Sequence, residues 1–208
     1  MSPTDRSNAI DEESLTPAAA KVLECASDLF YREGIRAVGV EAIAEAAGVT
    51  KKTLYDRFGS KEELVAAYLR VRDRRWRDFL TRYVDSHAVT PQERILVVFD
   101  ALESWMAGED PRGCGFVNAH VELTDETHPG RAVITSQKQW FLNYLNELCT
   151  QAGLHNSGDA AGRLLLIHEG ATVTNSMNSV ENSANKAKDL AATIVRDELT
   201  STQYTSTG

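Results

Sequence analysis

The sequence predicts an all-α protein of about nine helices, a small N-terminal helical domain followed by a larger C-terminal one. Three observations carry this. Apolar residues recur at three- and four-residue spacing through most of the chain. Only five prolines interrupt 208 residues, with Pro17, Pro91 and Pro129 at expected helix starts. No run of useful length alternates apolar and polar residues as a half-buried strand does. Hydrophobic residues make up 42% and charged residues 25% of the chain, the balance of a soluble protein that buries a core.

Residues 1–14 have no periodicity and read as a disordered arm. Thr16 then caps a helix over 17–33 and Pro17 opens it; Val22, Ala26, Leu29 and Phe30 recur along it and Gly34 ends it. A short helix over 40–47 turns Val40, Ile43, Ala44 and Ala47 to one face. Gly48-Val49-Thr50 breaks it, and a third helix follows over 51–57. Ser60-x-x-Glu63 has the form of a capping box and opens a long helix over 61–84, through Leu64, Tyr68, Val71, Trp76, Phe79, Leu80 and Tyr83. Pro91 starts a helix to 107, ended by Gly108 and Asp110-Pro111. A short segment over 113–123 has a glycine-rich entry, and a helix over 129–151 carries Ile134, Phe141, Leu145 and Leu148 on one stripe. Helices over 159–179 and 181–199 complete the set. The expected organisation is an arm at 1–14, a first domain at 15–62, a second at 63–200 and a flexible tail at 201–208.

Several classes of function are set aside at this point. No window approaches the ~18 apolar residues of a membrane span, and the polar N-terminus lacks the apolar core of a secretory signal. Cys25, Cys114 and Cys149 include no close pair, which argues against a disulfide framework and fits a reducing cytoplasm. No HExxH, GxSxG or P-loop occurs, so neither an enzyme nor a cofactor is expected. His120-x-Glu122-x-x-Asp125-x-x-His128 reads as a polar helix end rather than a metal site, because Pro129 puts His128 in a loop. Cys25 is expected to be buried and inert. Cys114, between two glycines, is more accessible, with Arg112 as its one evident basic neighbour; redox or electrophile sensing there is left open.

The net charge of −8 is unevenly spread: −3 over 1–16, +2 over 17–85 and −7 over 86–208. Such asymmetry suggests that one part meets a polyanion. Within the basic part, Val40 to Phe58 reads helix, glycine turn, helix. Ala44 lets the two helices cross closely, Gly48 supplies the turn, and Val49 and Leu54 face the core. Thr50, Lys51, Lys52, Thr53 and Tyr55 are left on the outer face, the logic of a helix-turn-helix whose second helix enters the major groove.

Gly34, Ile43-Ala44, Ala47-Gly48-Val49, Thr53-Leu54-Tyr55, Phe58 and Ser60-Lys61-Glu62-x-Leu64 stand at the spacing of the TetR family of transcriptional regulators, which the chain resembles over about 17–70. The resemblance implies that the third helix reads double-stranded operator DNA and that Lys61 grips a phosphate. DNA-contact roles pass to Thr50, Lys51, Lys52, Thr53 and Tyr55, with the Tyr55 ring either on phosphate or packed inside. The family often has Ser or Thr before the second helix; here Val38-Gly39 leaves only backbone to cap it. The arginine-rich stretch Arg70 to Arg77 reads instead as an ion-paired face or domain junction, with Asp73 and Asp78 placed to pair at i,i+4.

The resemblance also implies a C-terminal regulatory domain with an internal pocket, and a homodimer joined through the last two helices. The stripe of Ala187, Leu190, Ala191, Ile194 and Val195 independently favours a dimer, and Gly170 and Ala171 would allow close helix approach. Candidate pocket residues are Trp105, Phe116, Asn118, His120, Trp140, Tyr144 and His168, with Phe141 and Glu169 beside them. The expected function is a homodimeric repressor released from a near-palindromic operator by an unknown small-molecule effector. The alternative is a non-inducible regulator, or an activator, whose C-terminal domain is only a dimerisation scaffold.

Overall fold

The computed structural model describes residues 15–108 and 112–205, the last five by backbone alone. Among the described residues there are nine α-helices and no strands: α1 (Pro17–Glu33), α2 (Val40–Ala47), α3 (Lys51–Phe58), α4 (Lys61–His87), α5 (Pro91–Gly108), α6 (Gly115–Glu122), α7 (Pro129–Gln151), α8 (Ser157–Ser176) and α9 (Ser183–Thr205). The expected arm, the Asp110-Pro111 break and the end of the tail lie outside the described residues. The last two helices differ most from the expected spans. Asn156 caps α8 by accepting from the Asp159 N–H, which starts that helix before 159. Asn178 and Asn182 adopt φ of 51° and 53°, a left-handed conformation that asparagine tolerates; both lie in the stretch 177–182 that separates α8 from α9.

The chain divides into two compact units. The first contains α1–α3, α4 as far as Asp73, and Gly115–Ile134; the second contains α4 from Arg74, α5, the chain to Cys114, and everything from Thr135 onward. The first unit thus continues past residue 62, because Leu64, Val65, Tyr68 and Leu69 of α4 are buried and the Tyr68 ring lies 5.8 Å from Phe30 of α1.

The core of the first unit is built from Val22, Ala26, Phe30, Ile43, Leu54, Phe58 and Leu64, none more than 3% exposed. Burying the larger of these, all but Ala26, contributes roughly 1.5–3 kcal/mol each. The end of α6 is tied to the α1–α2 turn. Glu122 accepts the Arg36 N–H at 2.8 Å, and the Arg36 guanidinium donates to Thr124 Oγ1 at 2.9 Å. Gly34 sits under this contact with φ 97°; a Cβ there would lie 3.3 Å from the Glu122 carboxylate.

In the second unit, Phe99, Leu102, Phe141, Leu145, Leu164 and Ala191 form the centre of one apolar cluster. The α9 helix packs on α8 and α5. Ser183 Oγ donates to the Ala171 carbonyl at 2.9 Å, Lys188 meets both Asp100 oxygens at 2.7 Å, and Arg163 joins Asp159 and Glu198. Cys149 is buried, and burial pushes its thiol up to about 11. Cys25 is half-buried rather than fully buried.

Candidate functional site

The α2–α3 segment is set by its two caps and its turn. Gly39 precedes α2 in extended conformation with no side-chain capping bond, as expected from a residue with nothing but backbone. Gly48 takes φ 68°, ψ 32°, and the N–H of Val49 reaches back to the Ala44 carbonyl at 2.9 Å. A left-handed turn of this kind costs a non-glycine residue about 1–2 kcal/mol. Thr50 then caps α3: its Oγ1 accepts the Thr53 N–H at 3.1 Å and lies 3.0 Å from Thr53 Oγ1. Leu54 and Phe58 are buried. Burying those two positions fixes the rotation of the helix and turns Thr50, Lys51, Lys52 and Tyr55 to solvent, with Thr53 half-buried. Tyr55 keeps 43% of its surface exposed, so its ring is not enclosed in the core.

Both lysines on the exposed face of α3 are held by carboxylates. Lys51 Nζ lies 2.7 Å from Glu41 of α2, and Lys52 Nζ lies 2.8 Å from Asp56 one turn along α3. The hydrogen bond to Glu41 raises the Lys51 pKa, and the same bond lowers that of Glu41. Exposed pairs like these are weak, so a phosphate can displace the carboxylate. Lys61 is half-buried at the start of α4, its Nζ 5.9 Å above the Phe30 ring. Ser60 caps that helix by accepting the Glu63 N–H at 3.1 Å. Of the arginine-rich stretch, Arg72 lies 4.2 Å over the Tyr31 ring and Arg77 4.5 Å over the Trp140 ring, aromatic contacts that charge spacing alone did not suggest.

The expected pocket residues separate. Phe116, Asn118 and His120 belong to α6 and therefore to the first unit, with Phe116 buried and His120 exposed. Trp105, Trp140, Tyr144 and His168 belong to the second. There the Trp76 ring meets Trp105 at 5.2 Å and Phe141 at 6.2 Å, both edge-on. His168 is set among Trp76 at 5.8 Å, Phe99 at 6.1 Å and Phe141 at 4.6 Å. It is 5% exposed, and neither ring nitrogen has a hydrogen-bond partner; Glu169 Oε1 stands 4.0 Å away, beyond bonding distance. Burial, reinforced by the nearby Lys138 ammonium, pulls the His168 pKa down to about 3, so the ring is neutral. Burial pushes the Tyr144 phenol up to about 12.

Two further residues of this region were missed by the sequence. Gln137 of α7 is 3% exposed, and its Oε1 has no partner. Lys138 bonds Glu169 at 2.6 Å and lies 3.7 Å from Cys114 Sγ, a basic neighbour of that thiol from far along the chain. Burial works against the Lys138 ammonium, but Cys114 and Glu169 outweigh it and hold its pKa above the usual lysine value. The sequence of α7, in which only Arg131, Lys138 and Glu147 are charged, gave no hint of these surroundings. Among the described residues, no cluster of His, Cys, Asp and Glu could hold a metal ion.

The expected dimer residues also divide. Ala171, Ala187 and Ala191 are buried in the chain's own apolar cluster, because they lie on the faces that join α8, α9 and α5. Leu190, 56% exposed, and Gly170 remain on the surface, with Ile194 half-buried. Leu166 and Met177, at 74% and 70% exposure, join them as large apolar side chains left open.

A helix-turn-helix with an outward-facing basic helix start, built on a purely helical body, defines a class of regulatory DNA-binding folds. Residues 22–68 match the family model for bacterial regulatory proteins of the tetR family. The structure resembles SCO4454, a TetR-family transcriptional regulator from Streptomyces coelicolor, with a TM-score of 0.81 and 30% identity over 87% of this chain and 95% of that one. In Mycobacterium tuberculosis, the uncharacterized HTH-type transcriptional regulator Rv1255c is 30% identical over 129 residues, which is 62% of this chain and 63% of that protein. The HTH-type transcriptional repressor KstR2 of the same species is 40% identical over 91 residues, 40% of this chain and 43% of that one. The match therefore spans less than two thirds of the length of these curated relatives. The chain belongs to the TetR family, whose members are transcriptional regulators and not enzymes. No helix among the described residues is long and apolar enough to cross a membrane.

Proposed function

We propose that the protein is a homodimeric transcriptional repressor that binds a near-palindromic operator and is released by a small molecule bound in the second unit. The observation that carries this reading is the outward face of α3, where Thr50, Lys51, Lys52 and Tyr55 stand exposed at a capped helix start. A helix start favours phosphate, and the adjoining side chains reach base edges. Lys61, at the start of α4, adds a second phosphate contact. The similarity to the repressor KstR2 supports repression. Exposed Leu166 of α8, Met177 just past its end and Leu190 of α9 support pairing with a second copy, since such surface is costly to leave in water.

Selection of binding sites from random DNA, followed by anisotropy titration, tests the reading. A two-fold pair of half-sites about one helical turn apart, or a multiple of it, is the expected product. An enriched sequence without two-fold symmetry would overturn the dimeric operator complex. If an effector controls release, operator and effector must weaken each other's binding by the same factor, of order 5- to 150-fold. Equal effector affinity with and without saturating operator would leave the C-terminal domain as a dimerisation scaffold.

A further inference from the structure

The core of the second unit contains polar atoms that its own packing does not satisfy. Both nitrogens of His168 and Oε1 of Gln137 are buried without partners. Buried polar groups are nearly always hydrogen-bonded, and leaving one unmade carries its full desolvation penalty. The neighbours of both residues bring them to facing helices. Gln137 precedes Phe141 by one turn of α7, the Phe141 ring is 4.6 Å from His168, and Lys138 is bonded to Glu169, the neighbour of His168. The surroundings are aromatic: Trp76, Phe99, Trp105 and Phe141.

We propose that His168 and Gln137 are the polar contacts of the effector site, and that its occupant is an uncharged aromatic molecule bearing a hydroxyl or N–H group. The inference rests on the effector reading above and specifies the chemistry of that site. A neutral imidazole offers one donor and one acceptor, and the glutamine oxygen offers a second acceptor. A hydroxyl on an aromatic ring donates to one of the acceptors and accepts from the imidazole N–H, while its ring packs against the indoles and phenyls. Charge is disfavoured. The Lys138 ammonium is already paired with Glu169 at 2.6 Å, so a carboxylate entering here would have to compete with Glu169 for it. An ion held by neutral partners alone in an apolar site is strongly penalised.

The test uses the purified full chain and three probes of one shape: 2-naphthol, 2-naphthoate and 2-naphthylmethylammonium, which are neutral, anionic and cationic at pH 7.5. Calorimetric titration should give 2-naphthol at least tenfold tighter binding than either ion. His168→Phe and Gln137→Leu, which replace unsatisfied polar groups by apolar ones, should each weaken 2-naphthol at least fivefold without changing operator affinity in its absence. His168→Gln serves as a second variant at that position should the phenylalanine perturb folding. Equal or tighter binding of a charged probe, no binding of any probe, or undiminished binding in all three variants would overturn the assignment. Tight 2-naphthol binding that leaves operator affinity unchanged would uphold the site and refute release by ligand instead.

Discussion

Lowering the pH from 7.5 to 5 should destabilise the second unit through one residue, His168. An unfolded histidine has its pKa near 6.5, and burial with the adjacent Lys138 charge depresses that of folded His168 to about 3. Between those values the unfolded chain binds a proton that the folded chain does not, so stability falls as the pH drops below 6.5. At about 1.4 kcal/mol per pH unit, the loss at pH 5 is about 2 kcal/mol, with a ceiling of about 5 kcal/mol at pH 3 or below. The charged groups beside it are Lys138 on α7 and Glu169 on α8; the neighbours Trp76 on α4, Phe99 on α5 and Phe141 on α7 are uncharged. Subtracting the same pH series for His168→Phe cancels what Lys138, Glu169 and the rest of the chain contribute. Trp76, Trp105 and Trp140, all three tryptophans of the sequence, lie in the second unit, so urea unfolding followed by tryptophan fluorescence reports on that unit. Wild type should lose about 2 kcal/mol more than the variant between the two pH values. Equal losses, or an NMR titration of His168 centred near pH 6.5, would refute the reasoning.

Other perturbations test the remaining contacts. Lys51→Ala and Lys61→Ala should each weaken binding to all DNA sequences alike and lower the salt slope by about 1; unchanged slopes in both would remove them from the phosphate contacts. Glu41→Gln, which frees Lys51 from its 2.7 Å partner, should tighten operator binding in the same anisotropy assay. Leu190→Asp or Ile194→Asp should yield monomers or unfolded chains in sedimentation at micromolar concentration, because an unpaired charge in an apolar interface is costly; a wild type that sediments as a monomer would end the dimer proposal. Gly48→Ala should cost about 1–2 kcal/mol by backbone strain alone, since nothing lies within 4 Å of its added Cβ. Gly34→Ala should cost more, because its Cβ also meets Glu122, and Glu122→Ala should relieve part of the excess in a thermal-melt double-mutant cycle.

Helix ends were legible in the sequence wherever the signal is local. Thr16-Pro17 and Gly34 bound α1 at Pro17–Glu33, and Gly48 with Thr50 separates α2 from α3 where the residues themselves demand a left-handed turn and a cap. The exposed face of α3 was legible for the same reason: Leu54 and Phe58, four residues apart, must both be buried, and that fixes where Lys51, Lys52 and Tyr55 point. The sequence by itself therefore determined the helical class, the order of the helices and the exposed face of α3.

Tertiary structure alone decided what covers each apolar face and which distant groups meet. Periodicity marks Ala187 and Ala191 as one side of α9 but cannot say whether that side packs on α5 and α8 or on a second chain; here it packs inward. Assignment of α6 to the first unit rests in part on Glu122 reaching Arg36 across 86 positions of sequence. The pairing of Lys138 with Glu169 likewise depends on α7 lying beside α8. Caps and turns are made within a few residues and leave their mark in the local sequence. The neutral His168 exists because helices far apart in the chain enclose it and withdraw water from it, and no stretch of sequence around residue 168 records that enclosure.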